Sequence, residues 1–167
     1  KRENEKMDKV KVGILGAGGM GNVHIENLLK IEDAEVKAVC DIDGQKAEKL
    51  ADMAGAAVYA DFDEMLEKEE LDVLYILLPP YAQAGQFEKA ADKKIHIFIE
   101  KPIAITSDRG KSMVDAARKN GIKTQVGFHM RYGTAVNKLK RLIEEGSAGK
   151  PVLFNGRYQC NSLHAPW

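Results

Sequence analysis

The string Gly16-Ala17-Gly18-Gly19-Met20-Gly21 constrains this chain more than any other feature, because it stands between an apolar strand and an amphipathic helix. Val10, Val12, Ile14 and Leu15 run straight into it, and the spacing of apolar residues beyond it predicts a helix over 20–29. The glycines follow G-x-G-x-x-G, and each has a mechanical reason. Gly16 permits a tight turn, Gly18 lets a phosphate approach the backbone, and Gly21 lets helix and strand pack closely. The amides of Gly19 and Met20 then lie at a helix start, where open N–H groups and the positive end of the helix dipole favour an anion. Glycines also cluster in ordinary turns; the strand before this string and the helix after it are what give it meaning.

The strand-helix alternation continues along the chain. Strands are predicted over 35–40, 57–59, 73–78, 96–99 and 124–127, and helices over 45–54, 63–68, 82–91, 107–120 and 136–145. Asp61 and Glu64 have the spacing of a capping box, in which each side chain satisfies an orphan amide at the helix start. Asp43-Gly44 reads as a turn pair, and Gly121 as the C-cap of the long helix. Strands joined through helices need crossovers, so the expected fold is α/β with a doubly wound, mostly parallel sheet covered on both faces. The first nine residues, nearly all charged or polar, read as a flexible arm, and residues 10–130 as the dinucleotide-binding domain. Residues 131–167 read as a connecting helix and, over 152–159, the first strand of a second, α+β domain of which only the start is present.

Charge narrows the possible partners. Twenty-five basic residues balance twenty-five acidic ones, so no global field draws in nucleic acid or an anionic membrane. No apolar run approaches the roughly 18 residues of a membrane helix. Cys40 and Cys160 are too few and too far apart for a disulfide framework and do not form a metal-ligand spacing, which points to a cytoplasmic setting and to no metal site. The basic run Lys138, Lys140, Arg141 alternates with Leu139 and Leu142 and reads as the wet face of a helix.

Two further positions carry chemistry. Asp41 lies at the end of the second strand, twenty residues after Gly21, where a carboxylate can accept hydrogen bonds from a ribose diol and repel a 2′-phosphate. This favours NAD over NADP; the other reading of Asp41 is a turn residue opening the next helix. Glu100-Lys101-Pro102 follows the fifth strand, so it borders the same crevice beyond the carboxyl ends of the sheet. Partial burial would lower the Lys101 pKa and let it share the proton of a hydroxyl being oxidised; the other reading is a surface Glu-Lys pair.

Together these elements resemble the glucose-fructose oxidoreductase, inositol dehydrogenase and rhizopine-catabolism family (Gfo/Idh/MocA). The likeness runs through Gly16 to Gly21 with His24 and Asn27-Leu28, Cys40-Asp41, Pro79-Pro80, Glu100-Lys101-Pro102-Ile103-Ala104, and Gly127-Phe128-His129-Met130-Arg131-Tyr132. Gln83 stands where many members have a histidine, and Gly133-Thr134 where many have a proline-containing turn. The resemblance implies a Rossmann-like domain, an NAD-dependent dehydrogenase of a sugar, inositol or related polyol, and a homo-oligomeric parent. It also implies that Lys101 is catalytic, that Glu100 and Pro79 line the cofactor, and that His129 and Arg131 lie near the nicotinamide or substrate. A second domain would supply the remaining contacts, so weak dinucleotide binding and little turnover are expected of 167 residues alone. His24 and His96 read as packing or capping residues. A non-catalytic NAD-sensing module is the alternative; an adenosylmethionine-dependent methyltransferase is a further one, which the Glu-Lys-Pro motif argues against.

Overall fold

The computed structural model describes residues 8–157, and the chain divides into two compact units, one running to Phe128 and the other starting at His129. The first unit alternates strictly: β1 (Val10–Leu15), α1 (Gly19–Leu28), β2 (Ala34–Cys40), α2 (Gly44–Asp52), β3 (Ala57–Tyr59), α3 (Phe62–Lys68), β4 (Val73–Ile76), α4 (Gln86–Asp92), β5 (His96–Ile99), α5 (Ser107–Asn120) and β6 (Thr124–Val126). The strands form one parallel sheet in the order β3-β2-β1-β4-β5-β6. The chain leaves β1 toward one edge and returns at β4 toward the other, so the crevice of the sheet opens between the carboxyl ends of β1 and β4.

Each sheet face buries its own core. Val12 and Ile14 of β1 pack with Val36 and Val39 of β2 against Ile25 and Leu28 of α1 and Leu50 of α2. The opposite face gathers Leu15, Ala38, Cys40, Leu74, Ile76, Ile97 and Ile99 under α3, α4 and α5. Val36 and Val39 share a face although they lie three positions apart, because the β1–β2 register jumps so that Val12 pairs with Val36 but Gly13 with Ala38. The extra residue, Lys37, is a bulge that resets which side chains face which way.

Several boundaries differ from those predicted. β4 stops at Ile76 rather than 78: after Leu77 N–H donates to Leu15 O (2.8 Å), β1 turns away at Gly16 and no ladder partner remains. Helix α4 begins only at Gln86, because Pro80–Ala82 form a 3-10 turn and Gly85 takes φ +98°, which no α-helix tolerates. The capping box is half made: Asp61 accepts from Glu64 N at 2.8 Å, while the Glu64 carboxylate takes Lys68 Nζ at 2.6 Å. Asp43 caps α2 by accepting from Lys46 N, so Gly44 opens the helix instead of completing a turn. Gly121 does close α5, at φ +66°.

In the second unit a 3-10 turn, His129–Tyr132, precedes helix α6 (Thr134–Glu144). Pairs Lys140–Glu144 and Arg141–Glu145 lace its wet face, and Val136, Leu139 and Ile143 on its apolar side remain 40–48% exposed. The strand predicted over 152–159 is absent over 152–157, where Val152, Leu153 and Phe154 are at least 83% exposed. Strand backbone is held by a ladder, and the described residues offer this segment no partner; 158–159 lie outside the described residues, as does most of the predicted N-terminal arm.

Candidate functional site

The glycine turn is shaped by what each missing side chain avoids. Gly16 sits at φ +104° and donates its N–H to Cys40 O at 2.8 Å, and a Cβ on it would press on the Leu77 carbonyl at 3.1 Å. At Gly21 a Cβ would strike Gly16 O at 2.8 Å, so the third glycine lets α1 rest on the turn. Gly18 and Gly19 behave oppositely, with open space where a side chain would be. No side chain caps α1 and no acidic residue occupies its first turn, so the helix-start amides face outward uncontested. Beside them lies a cleft of about 200 Å³ lined by Ala17, Gly18, Gly19, Asn22, Lys46 and Lys49. This bare-amide cradle with two lysines at its edge fits a dinucleotide pyrophosphate.

Asp41 ties this turn to the end of β2. Its Oδ2 accepts from Ala17 N at 2.7 Å and its Oδ1 from Asp43 N at 2.9 Å. The carboxylate is thereby fixed in place, and each oxygen keeps a lone pair for a ligand hydroxyl. The two readings of Asp41 are therefore compatible, since it organises the turn and still faces outward as an acceptor. Lys46 pairs with Asp43 at 2.9 Å, which holds the Asp43 carboxyl below its ordinary range through the hydrogen bond. Behind Asp41, burial together with the charges of Asp41 and Asp61 pushes the Cys40 thiol up to about 11, so it stays protonated and inert.

Across the sheet, β4 leads to Pro79 and the 3-10 turn, and β5 leads to Glu100 and Lys101. Among the described residues Glu100 is the buried charged side chain, 8% exposed. Its Oε1 lies 2.9 Å from His24 Nε2 and its Oε2 accepts from the Lys101 amide at 3.0 Å. Gly127 makes room for it, because a Cβ there would meet the carboxylate at 2.7 Å. Lys101 itself is exposed, which corrects the expected partial burial: it stands on the loop past the end of β5, outside both hydrophobic cores. The side-chain amide of Gln83, after the Pro79 turn, is buried with no hydrogen-bond partner among the described residues.

The structure thus places Gly16, Gly18, Gly19, Met20, Gly21 and Asp41 around one turn, and Pro79, Glu100 and Lys101 at the ends of the two strands beyond it. His129 and Arg131 fall in the 3-10 turn of the second unit, past β6, which stops at Val126 rather than 127. Among the described residues Arg131 makes no ion pair with α6. His96 accepts from Lys123 N at 3.1 Å, a structural bond beside β6. Three features escaped the sequence reading. Lys49 was legible, lying one turn beyond Lys46 on the same helix face. The Gln83 amide and the His24–Glu100 bond were not, because burial and a 76-residue separation leave no local pattern.

A six-stranded parallel sheet in this order, with a glycine turn at the central switch point and an acid closing the neighbouring strand, defines a dinucleotide-binding Rossmann domain. The chain belongs to the Gfo/Idh/MocA oxidoreductase family with an NAD-binding Rossmann fold, whose family model matches residues 10–128. It is 36% identical over 153 residues to an inositol 2-dehydrogenase/D-chiro-inositol 3-dehydrogenase of Lacticaseibacillus casei, covering 89% of this chain and 44% of that protein. An uncharacterized oxidoreductase of Bacillus subtilis, YrbE, is 32% identical over 147 residues, covering 87% and 43%. The crystal structure of scyllo-inositol dehydrogenase from Lactobacillus casei with bound NAD(H) and scyllo-inositol superposes with a TM-score of 0.80 at 27% identity, over 85% of this chain and 43% of that one. The chain spans less than half the length of the curated relatives it matches.

Proposed function

We propose that this chain forms the cofactor-binding part of an NAD-dependent dehydrogenase acting on a hydroxyl of an inositol, a sugar or a related polyol. The observation that carries the reading is the arrangement beyond the carboxyl ends of the inner strands of bare glycine amides, a carboxylate fixed at Asp41, and Lys101 after β5. The bound nicotinamide supplies hydride acceptance and return. The amides of Gly18, Gly19 and Met20 hold the pyrophosphate, and Asp41 accepts from the adenosine ribose. Because two backbone N–H groups pin the Asp41 carboxylate, it cannot swing away from a 2′-phosphate, and this favours NAD over NADP. Pro79 and Glu100 border the nicotinamide end, and Lys101 Nζ shares the proton of the reacting hydroxyl. His129 and Arg131 serve the nicotinamide or substrate.

In this reading residues 10–130 make the binding domain and 131–167 open the second one, in a cytoplasmic homo-oligomer. Substrate contacts beyond Lys101 come from that second domain, in keeping with the greater length of the relatives. The exposure of Lys101 is the observation that favours a non-catalytic NAD-binding module instead. Titration with NADH, NADPH and adenosylmethionine tests the cofactor assignment: NADH binds most tightly, and binding of adenosylmethionine alone overturns it. Lys101→Ala separates enzyme from sensor in the longest natural polypeptide containing this sequence. Turnover of a polyol is expected to fall about 10²- to 10⁴-fold with NADH affinity kept; unchanged turnover refutes the role of the lysine.

A further inference from the structure

The glycine turn and Lys101 leave one buried polar pair without an assigned role. His24 lies on α1, and its ring is wedged edge-on against Tyr75 of β4 (centroids 5.5 Å) and Phe98 of β5 (4.9 Å), which stack on each other at 4.7 Å. That slot fixes the imidazole, and its Nε2 reaches the Glu100 carboxylate at 2.9 Å, with the two side chains only 17% and 10% exposed. The second carboxylate oxygen holds the Lys101 amide, the Glu100 amide donates to Ile76 O at 3.0 Å, and Gly127 leaves a gap for the carboxylate alone. Burying a carboxylate is expensive, and a pair of well-packed apolar residues is often at least as stable. Stability alone therefore does not account for this pair. Its geometry does, because it joins the helix that carries the glycine turn directly to the main chain of the Glu100-Lys101 loop.

We propose that His24 is a positioning residue: acting through Glu100, it sets the place of the Lys101 main chain relative to α1, and so shapes the nicotinamide end of the crevice but not the pyrophosphate end. This rests on the reading that Glu100 and Lys101 border the nicotinamide. The strut works by the reach of one N–H donor. In His24→Gln the side-chain amide extends about as far as Nε2 and keeps the bond, whereas in His24→Asn the amide stops near the place of Nδ1 and loses it. Glu100→Asp breaks the strut from the other side, since the carboxylate drawn back by one methylene no longer spans from His24 Nε2 to the Lys101 amide.

The test compares NADH with ADP, which carries the adenosine and both phosphates but no nicotinamide, by NMR titration of this chain and its variants. His24→Asn and Glu100→Asp are expected to weaken NADH about tenfold, the worth of one buried hydrogen bond, with ADP affinity unchanged and His24→Gln close to wild type. The Lys101 amide resonance should move in His24→Asn while those of Gly18 and Gly19 stay in place. Equal losses for NADH and ADP, movement of Gly18 and Gly19 together with Lys101, or identical behaviour of the Asn and Gln variants would each overturn the proposal. If His24→Asn does not fold, Glu100→Asp against His24→Gln gives the same contrast. Failure of the unaltered chain to bind NADH at all would instead sink the proposed function.

Discussion

Gly16 to Gly21 offer backbone amides, while Glu100 and Lys101 offer side chains and one amide, tied to His24 of α1 and fitted against Gly127 just past β6. The first region works by leaving things out: two glycines avoid collisions with Leu77 and Gly16 O, and two keep the space above them open. The second works by filling, with an imidazole in an aromatic slot, a carboxylate between two donors, and a gap at Gly127 that fits the carboxylate. A site made by omission survives changes around it but no added atom. A site made by filling depends on every partner at once.

That contrast can be broken by substitution. Gly16→Ala should do most damage, about 3 kcal/mol of stability, because the new Cβ meets the rigid Leu77 carbonyl at 3.1 Å from a φ of +104°. A melting temperature close to wild type would show that the turn has slack. Gly127→Ala is expected to cost about 2 kcal/mol, less because the atom it strikes ends a side chain. It should also displace Glu100 and weaken NADH more than ADP; equal weakening would argue that the filled region is not tied to the nicotinamide end. Asp41→Ala leaves the Ala17 amide without its acceptor, about 1.5 kcal/mol by denaturant unfolding, and should narrow the gap between NADH and NADPH. An unchanged gap would leave Asp41 with only its structural task.

The smallest effect belongs to a pair outside both regions. Glu88 of α4 takes a two-pronged grip from Arg109 and a hydroxyl from Ser112 of α5. Burial pushes its carboxyl up, but these hydrogen bonds outweigh it and hold it below its ordinary value. A carboxyl depressed in the folded state contributes stability above its unfolded pKa and loses it as pH falls through the folded one. Glu88→Gln should therefore cost about 1 kcal/mol at neutral pH, with the difference in melting temperature closing in acid and NADH affinity untouched. A difference that persists in acid would locate the effect in packing.

The region made by omission was the legible one. The turn and Asp41 are read from spacing alone, because backbone amides exist whatever the neighbours are and only glycine frees them. β3 and β5 fell where the apolar runs put them, and ends such as those of β4 and α4 moved by a few residues where a ladder partner ran out or Gly85 turned left-handed. The filled region was read only as a motif. His24 is seen in sequence as one more residue on a helix, and its bond to Glu100 depends on α1 crossing the sheet over β4 and β5.

By itself, then, the sequence determined the alternating parallel fold, the glycine turn at a helix start and the acid beside it, since strand period, helix period and glycine freedom are local properties. Only the tertiary structure decided that the β2 bulge brings Val36 and Val39 onto one face, that Lys101 stands exposed, and that His24 reaches Glu100. Those outcomes depend on which elements lie side by side, and burial, hydrogen-bond pairing and charge neutralisation exist only once they do.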